Sequence, residues 1–214
     1  MDKLLEKKKS KEYWDKKHQH NKKKNIQIDD WLDKFSEIIE ATSLPIIDLG
    51  CGSGNDTLCL IQRNKEVIPC DQSANAITCI REKFPEIKEA FCFDMLDGLP
   101  FNDEFCDIII ADLSLHYFRS DDTERIIDDI YRVLKPEGYL IFRVNSVNDV
   151  NFGAGKGKQI ERNLYQTSDG RLKRFFDRED IVLFFDRFKL EYIQEKSMER
   201  YILEKKLYEG CVKK

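Results

Sequence analysis

The chain has 214 residues, of which 41% are hydrophobic and 11% aromatic, and its formal net charge at pH 7 is −4. This length and apolar content predict one folded domain and exclude an intrinsically disordered protein. No apolar run approaches the roughly 20 residues of a membrane span and no signal-peptide pattern opens the chain, so we expect a cytoplasmic protein with no membrane attachment. Seven cysteines without a C-x-x-C pair indicate buried free thiols in a reducing compartment, and no metal site is predicted.

The N-terminal segment is strongly basic. Residues 1–24 contain ten lysines and four acids, a charge of +6 that leaves −10 for the remainder. Such an arm can contact nucleic acid or anionic lipid, but a solvated, partly frayed helix is the commoner outcome at a terminus. Tyr13 and Trp14 interrupt it and need a surface to lie on, which is either the protein's own core or a bound ligand. Apolar residues in 28–39 then recur at helical spacing, so we treat 1–43 as an N-terminal helical cap.

Residues 44–145 alternate between strand and helix patterns. An apolar strand runs from Pro45 into a loop with glycines at alternate positions up to Gly54. Further strands are predicted at 66–71, 89–94, 106–111 and 138–144, and helices at 56–61, 73–84 and 121–134, the last opened by a capping box at Asp121. This alternation implies right-handed crossovers and a parallel sheet.

The C-terminal third breaks this rhythm. Residues 146–176 are polar, contain several glycines and show no period, so we expect a loop that acts as a lid or substrate-binding insertion. Residues 177–214 contain a helix pattern and then two weak strand patterns, predicted to pair antiparallel as the C-terminal helix and strand pair. The expected fold is a single α/β domain with a Rossmann-like, doubly wound seven-stranded sheet, mostly parallel with an antiparallel C-terminal strand and helices on both faces.

The glycine loop indicates which kind of cofactor the domain binds. A dinucleotide site requires G-x-G-x-x-G, but Asn55 stands where the third glycine is needed, which disfavours a nicotinamide-dependent oxidoreductase. Asp48 lies two residues before Gly50, where it would repel a pyrophosphate and attract a cationic ligand. The run from Asp48 to Gly54 resembles motif I (D-x-G-x-G-x-G) of the class I S-adenosylmethionine (SAM)-dependent methyltransferases.

Later stretches carry the same resemblance. Asp71 ends the second predicted strand, where that family has an acid for the ribose hydroxyls, and Asp94 lies where it has an acid near the adenine amino group. Residues 99–107 are similar to its "LPF…FD" stretch and 133–138 to its "LKPGG" turn. The resemblance implies SAM as cofactor and S-adenosylhomocysteine as product. The cofactor-binding residues that it implies are Tyr13, Trp14, Asp48, Gly50, Cys51, Gly52, Gly54, Asp71, Gln72, Asp94, Met95 and Asp112.

The acceptor is expected beyond the fourth strand, at residues 111–118. The [DN]-P-P-[YF] motif of enzymes that methylate exocyclic amines of bases is absent there. The run 113–118 (LSLHYF) and the Tyr13-Trp14 pair resemble instead the small-molecule branch, which includes tellurite-resistance and thiopurine-type methyltransferases. His116 is either a general base or a hydrogen-bonded structural histidine, and Tyr117 either closes the acceptor pocket or belongs to the core. Candidate substrate-binding residues, if they converge, are Arg143, Asn145, Lys173 and Arg174.

The sequence therefore predicts a SAM-dependent methyltransferase that acts on a small molecule by in-line displacement, mainly through proximity and desolvation. The alternatives are an RNA or protein methyltransferase and a non-catalytic SAM-binding protein. Nucleic acid is the less favoured partner, although the basic N-terminus leaves it open. The chain is expected to be a monomer or a homodimer.

Overall fold

The computed structural model describes residues 3–21, 26 and 28–214, with residue 21 described by its backbone alone. The strands are β1 (Ile46–Leu49), β2 (Val67–Asp71), β3 (Phe91–Cys92), β4 (Cys106–Asp112), β5 (Leu134–Asn145), β6 (Lys158–Glu161), β7 (Leu164–Gln166), β8 (Leu172–Arg174), β9 (Lys189–Met198) and β10 (Lys205–Lys213). The α-helices are α1 (Lys3–Asn21), α2 (Ser36–Ala41), α3 (Asn55–Gln62), α4 (Ala74–Lys83), α5 (Ser120–Val133) and α6 (Arg178–Phe184), with short 3-10 turns at Trp31–Phe35, Met95–Asp97 and Val150–Phe152.

Seven strands form one sheet in the order β3-β2-β1-β4-β5-β10-β9. The first five strands are parallel, β10 runs antiparallel to β5, and β9 runs antiparallel to β10. The predicted seven-stranded, doubly wound α/β sheet is confirmed, and the structure also contains the predicted C-terminal strand pair. The strand order reverses between β1 and β4, so the carboxyl ends of these two strands flank the position where ligands bind in such sheets.

The sheet lies between two apolar layers, which explains why its central strands read as continuous hydrophobic runs. Ile46, Ile47 and Leu49 of β1 are each at most 1% exposed. One face packs against the apolar stripe of α5 and against α6, and the other packs against α3 and the segment 31–39. These layers hold the strand ends rigidly in place.

Several predicted boundaries differ from those in the structure. The capping box at Asp121 is not formed: α5 begins at Ser120, whose amide and hydroxyl donate to the carboxylate of Glu161 at 2.9 and 2.7 Å. The strand predicted at 89–94 is shortened to two residues, because Asp94 caps the following 3-10 turn through the amide of Leu96. The helical stripe at 28–39 is divided between a 3-10 turn and α2.

The segment 146–176 is not the loop without regular structure that its polarity suggested. Strands β6, β7 and β8 form a small antiparallel sheet of their own, with Leu164 and Leu172 buried. Each strand has only three or four residues, which is too short for an alternating pattern to be recognised in the sequence. Residues 146–176, which contain this sheet, are called the insertion below.

Within the basic N-terminal segment, residues 3–21 form a helix that is docked on the domain. Helix α1 docks on the start of α4, where the hydroxyl of Ser73 donates to Asp15 at 2.6 Å and the amide of Asn75 donates to the Asp15 carbonyl at 3.1 Å. Because α1 is polar on all sides, its helical state depends on such contacts. In the part of the chain described here, no helix combines the length and apolarity that a membrane span requires. Six of the seven cysteines are buried, and Cys92 is exposed.

Candidate cofactor and acceptor site

The glycine loop follows β1 and passes too close to its neighbours for side chains. Gly50 and Gly54 have φ angles of +85° and +88°, in the left-handed region that glycine alone adopts readily. A Cβ at Gly50 would overlap the Cβ of Ser114, and one at Gly54 would lie 2.7 Å from side-chain atoms of Ile80 and Phe84. The loop therefore leaves its backbone exposed to a ligand on one side and packed on the protein on the other.

Two predicted acids hold this loop. Asp48 is buried at the end of β1 and accepts a 2.6 Å hydrogen bond from the hydroxyl of Thr57. At the end of β2, the two carboxylate oxygens of Asp71 accept from the amides of Ser73 and Gly52 at 2.8 and 3.0 Å. Asp71 thus connects the ends of β1 and β2 directly, and each of its oxygens has a further lone pair for a ligand donor.

Negative charge accumulates at this end of the sheet. Burial, together with the nearby charges of Asp112 and Asp71, raises the pKa of Asp48 to about 7, against the opposing effect of the hydrogen bond from Thr57. Burial also raises the pKa of Asp71 and, strongly, that of Asp56, a buried acid that accepts from the indole of Trp31 at 2.8 Å. A cation bound here would stabilise the ionised carboxylates, so this group of acids fits the sulfonium and ammonium of SAM.

A cavity of about 260 Å³ lies at the ends of β2 and β3. Gln72 and Asp94 line it on the sheet side, and Lys7 of α1 lines the opposite wall, with its ammonium 3.8 Å from Asp94. The methyl of Met95 lies 3.7 Å from the position that a Cβ of Gly50 would take. Gln72 and Asp94 therefore border a cavity, whereas Met95 lies against the glycine loop and does not line that cavity.

Helix α1 covers the glycine loop with a residue that the sequence reading missed. The buried imidazole of His18 has its Cε1 atom 3.3 Å from the position that a Cβ of Gly52 would take. Its ring stacks on Trp14 at 5.8 Å, and Trp14 meets Tyr117 edge-on at 5.2 Å. Burial lowers the pKa of His18, although the charge of Asp71 raises it. In the sequence, the one-turn spacing of Trp14 and His18 was the signal that could have identified His18 as a neighbour of Trp14 on α1.

Tyr13 lies on a different side of α1 from Trp14. Its ring faces the guanidinium of Arg171 at 3.4 Å, in the insertion, so Tyr13 connects α1 to that sheet. Cys51 is buried in the glycine loop, where its amide donates to the carbonyl of Cys70 at 2.9 Å. The structure thus brings Trp14 and Cys51 to the loop and Tyr13 to the insertion.

The predicted acceptor residues His116 and Tyr117 lie just beyond β4. His116 is 1% exposed, and its Nδ1 atom has no hydrogen-bond partner among the described residues. Burial lowers its pKa well below the usual range, and the charges of Lys205 and Lys173 lower it further, so the ring is neutral. Burial likewise raises the pKa of the Tyr117 phenol, whose ring lies 4.2 Å from that of His116. Neither group is charged at neutral pH.

Two predicted substrate-binding residues, Asn145 and Lys173, lie near His116. They are joined there by Lys205, which the sequence reading missed. Asn145 accepts from the ammonium of Lys205 at 2.6 Å, and Asp149 accepts from the same ammonium at 2.8 Å. Lys173 donates to the carbonyl of Phe152 at 2.7 Å. Burial and the charge of Lys205 lower the pKa of Lys173 to about 8. Lys205 belongs to β10, and only the antiparallel pairing of β10 with β5 brings it here.

Arg143 and Asp112 form an ion pair on the other side of the strand ends. The guanidinium of Arg143 donates twice to Asp112, at 2.7 Å each, and once to Asp29 at 2.9 Å. Arg200 adds a 3.1 Å bond to Asp112. Burial opposes ionisation of Asp112, but the two arginines outweigh it and lower its pKa. Both side chains of the Arg143–Asp112 pair therefore already have protein partners.

Arg174 lies apart from the other predicted substrate residues. It is 1% exposed and donates to Glu161 and to the hydroxyl of Ser120 at 2.8 and 3.0 Å. Its amide donates to the carbonyl of His116 at 2.8 Å. Arg174 thus fastens the insertion to α5 and to the segment that carries His116.

Comparison with known proteins agrees with this geometry. Residues 47–142 match a family model described as a methyltransferase domain. The chain is 36% identical over 147 residues to the tRNA N(3)-methylcytidine methyltransferase Mettl2 of Drosophila melanogaster, which covers 64% of this chain and 45% of that protein. It is 28% identical over 194 residues to the tRNA N(3)-methylcytidine methyltransferase trm141 of Schizosaccharomyces pombe, which covers 82% of this chain and 77% of that protein.

The fold is similar to that of a SAM-dependent methyltransferase from Methanosarcina mazei. The TM-score is 0.69 at 21% identity, over 79% of this chain and 92% of the other. At that identity, the likeness concerns the fold. The chain spans less than half the length of the Drosophila relative.

Proposed function

This chain contains a class I SAM-dependent methyltransferase domain, and we propose that it methylates N3 of a cytidine in tRNA. The observation that supports this acceptor most is the similarity to tRNA N(3)-methylcytidine methyltransferases. For the Schizosaccharomyces protein, this similarity extends over 82% of the chain, well beyond the residues of the methyltransferase model.

The residues around the glycine loop fit SAM, which supplies an electrophilic methyl group on a cationic sulfonium. In this proposal Asp71 accepts from the ribose hydroxyls, as its spare lone pairs allow, and Asp94 lies beside the adenine. Asp48 complements the positive charge. Trp14 and His18 of α1 cover the loop and exclude water from it.

The acceptor chemistry fits the uncharged residues beyond β4. The N3 atom of neutral cytosine carries an in-plane lone pair and no proton, so its methylation requires no general base. The new N–C bond forms as the S–C bond breaks, and the cytosine ring takes over the positive charge. In this proposal His116 and Tyr117, both uncharged at neutral pH, position the base and exclude water.

RNA binding is assigned to the outer face of α1 and to the insertion. Lys8 and Lys11 of α1 are exposed on the helix that covers the cofactor loop, where phosphate groups can reach them. The insertion contacts α1 through Arg171 and Tyr13. For residues 146–176 we keep the role of a substrate-binding insertion, which the RNA and α1 together would hold in place.

A small-molecule acceptor, the class predicted from the sequence, is the second candidate. It is favoured because the cationic side chains nearest to the acceptor region already have partners within the protein. Arg143, Arg174 and Lys205 are all buried and bonded to protein groups, so they are not available to a phosphate backbone.

Separate incubations with different acceptors distinguish these two candidates. The protein is incubated with methyl-labelled SAM and either intact tRNA, the same tRNA digested to nucleosides, or a low-molecular-weight cell extract. The proposal predicts label in intact tRNA, decreasing as salt rises. Label in the digest or extract but not in tRNA would assign the enzyme to small molecules.

A matched pair of variants tests the RNA-binding surface. Replacing Lys8 and Lys11 by alanine should weaken tRNA binding and reduce the slope of log K against log salt by about 2. The control replaces Lys88 and Lys189, equally exposed lysines away from α1, and should leave both unchanged. Equal effects of the two double variants would exclude α1 as the RNA contact.

A further inference from the structure

An apolar projection stands in solvent between β9 and β10. Tyr201, Ile202 and Leu203 are consecutive, and they are 42%, 105% and 55% exposed. Single exposed apolar side chains are common on protein surfaces, but a contiguous group marks a place of interaction.

The projection belongs to the edge of the sheet that carries the site. Because β10 is antiparallel to β5, the turn before β10 lies beside the carboxyl ends of β5 and β4. Arg200 extends from this turn to Asp112 at the end of β4, and the ring of Tyr201 packs on Phe152 at 5.2 Å. The base of the projection is thus fixed to the acceptor region, while Ile202 stays fully in solvent.

The exposed side chain of Val150 extends the patch. Asn151 donates to the carbonyl of Glu204 at 2.9 Å, which places the 3-10 turn of Val150 alongside the projection, with Val150 58% exposed. Within 199–205, the two acids are balanced by the two bases. The patch therefore has little net charge and suits stacked bases or other apolar groups better than phosphates.

We propose that Ile202 and Leu203 form a wedge that replaces the target cytidine in the base stack of the RNA. This inference rests on the proposed function. The N3 atom belongs to the pairing edge of the base, so the base must leave its stack to reach the end of β4. Architectural proteins partly unstack DNA by inserting apolar side chains between base steps, and the same chemistry is available to an aliphatic pair facing stacked RNA bases. The projection is joined to the acceptor region through Arg200 and Tyr201.

The test compares two tRNAs that carry the same target cytidine. One tRNA is intact, and in the other the nucleotides flanking the target are abasic, so that the base has no stack to leave. For the variant I202S/L203S we expect kcat/KM to fall about tenfold on the intact tRNA and less than twofold on the abasic one. The control V182S/L183S alters another exposed apolar pair, on α6, and should change neither.

The outcomes separate the wedge from the proposed function. Equal losses on both tRNAs, or no loss on either, would overturn the wedge while leaving tRNA methylation intact. A wild-type protein that methylates neither tRNA would contradict the proposed function itself. SAM affinity and the salt dependence of tRNA binding should be the same in variant and parent, because the projection contacts neither the cofactor loop nor phosphates.

Discussion

Replacing Asp48 by asparagine is expected to stabilise the protein at pH 8 while weakening its binding of SAM. In the folded chain, burial and two neighbouring acids raise the pKa of Asp48 from 3.8 to about 7. Between these values the folded state keeps a proton that the unfolded state has released, so stability falls as pH rises and is lowest above about pH 7. The difference corresponds to about 4 kcal/mol of destabilisation at pH 8.

An asparagine carries no charge and avoids this loss while it can still accept the hydrogen bond from Thr57. The rise in the pKa of Asp48 is net of that hydrogen bond, so the D48N variant should be about 4 kcal/mol more stable than the parent at pH 8. At pH 4 the gain should have fallen below about 1 kcal/mol, because Asp48 is then neutral in the folded state and only about half ionised in the unfolded state.

Urea denaturation of both proteins from pH 4 to pH 8 measures this difference. The exposed Asp186 provides the control, since D186N should leave the pH profile unchanged. Calorimetry should show that SAM binding by the parent weakens as pH falls below about 7 and releases a proton there, and that D48N binds SAM at least about tenfold more weakly with no proton release. A D48N variant no more stable than the parent at pH 8, or a gain independent of pH, would refute the reasoning.

The remaining predictions concern the loop and the ion pairs. G54A should destabilise the fold by about 2–4 kcal/mol, since its Cβ meets two buried side chains, whereas G155A has the same handedness of φ but open space and should cost only about 1 kcal/mol in a urea titration. Asp71→Ala should weaken SAM binding by about 1–3 kcal/mol in calorimetry, and an unchanged affinity would remove Asp71 from the site. R143K should lose about 1–3 kcal/mol of stability, because an ammonium cannot reproduce the two-fold contact with Asp112, and an unaltered denaturation midpoint would contradict this.

The cofactor half of the site could be predicted because its residues are tied to strand ends. Asp48 and Asp71 follow two buried apolar runs, and the carboxyl ends of parallel strands meet at one edge whatever the details of packing. The strand pattern, together with the glycine motif, therefore placed both acids near the glycine loop. The boundary of α5 was missed because its cap is Glu161, which lies 41 residues away in the insertion.

Two further residues could not be predicted in the same way. His18 and Lys205 belong to elements whose docking is decided by tertiary packing, and no local pattern places His18 beside the glycine loop or Lys205 beside His116. The insertion was read as a loop because its strands are too short to show a period.

The preference for a small-molecule acceptor also depended on the absence of one motif, and that absence was interpreted too broadly. The missing [DN]-P-P-[YF] sequence argues against methylation of an exocyclic amine. It does not bear on N3, a ring nitrogen whose lone pair lies in the plane of the base and carries no proton to be removed. The sequence was therefore compatible with a base as acceptor, although a small molecule was preferred.

The central claim is tested most directly by identifying the methylated nucleoside. The protein is incubated with tRNA and with SAM that carries a deuterated methyl group, and the tRNA is then digested and analysed by mass spectrometry against N3-, N4- and C5-methylcytidine standards. We predict the label in N3-methylcytidine, at a level strongly reduced in the Asp71→Ala variant. Label in another nucleoside, or only in low-molecular-weight products, would contradict the proposal.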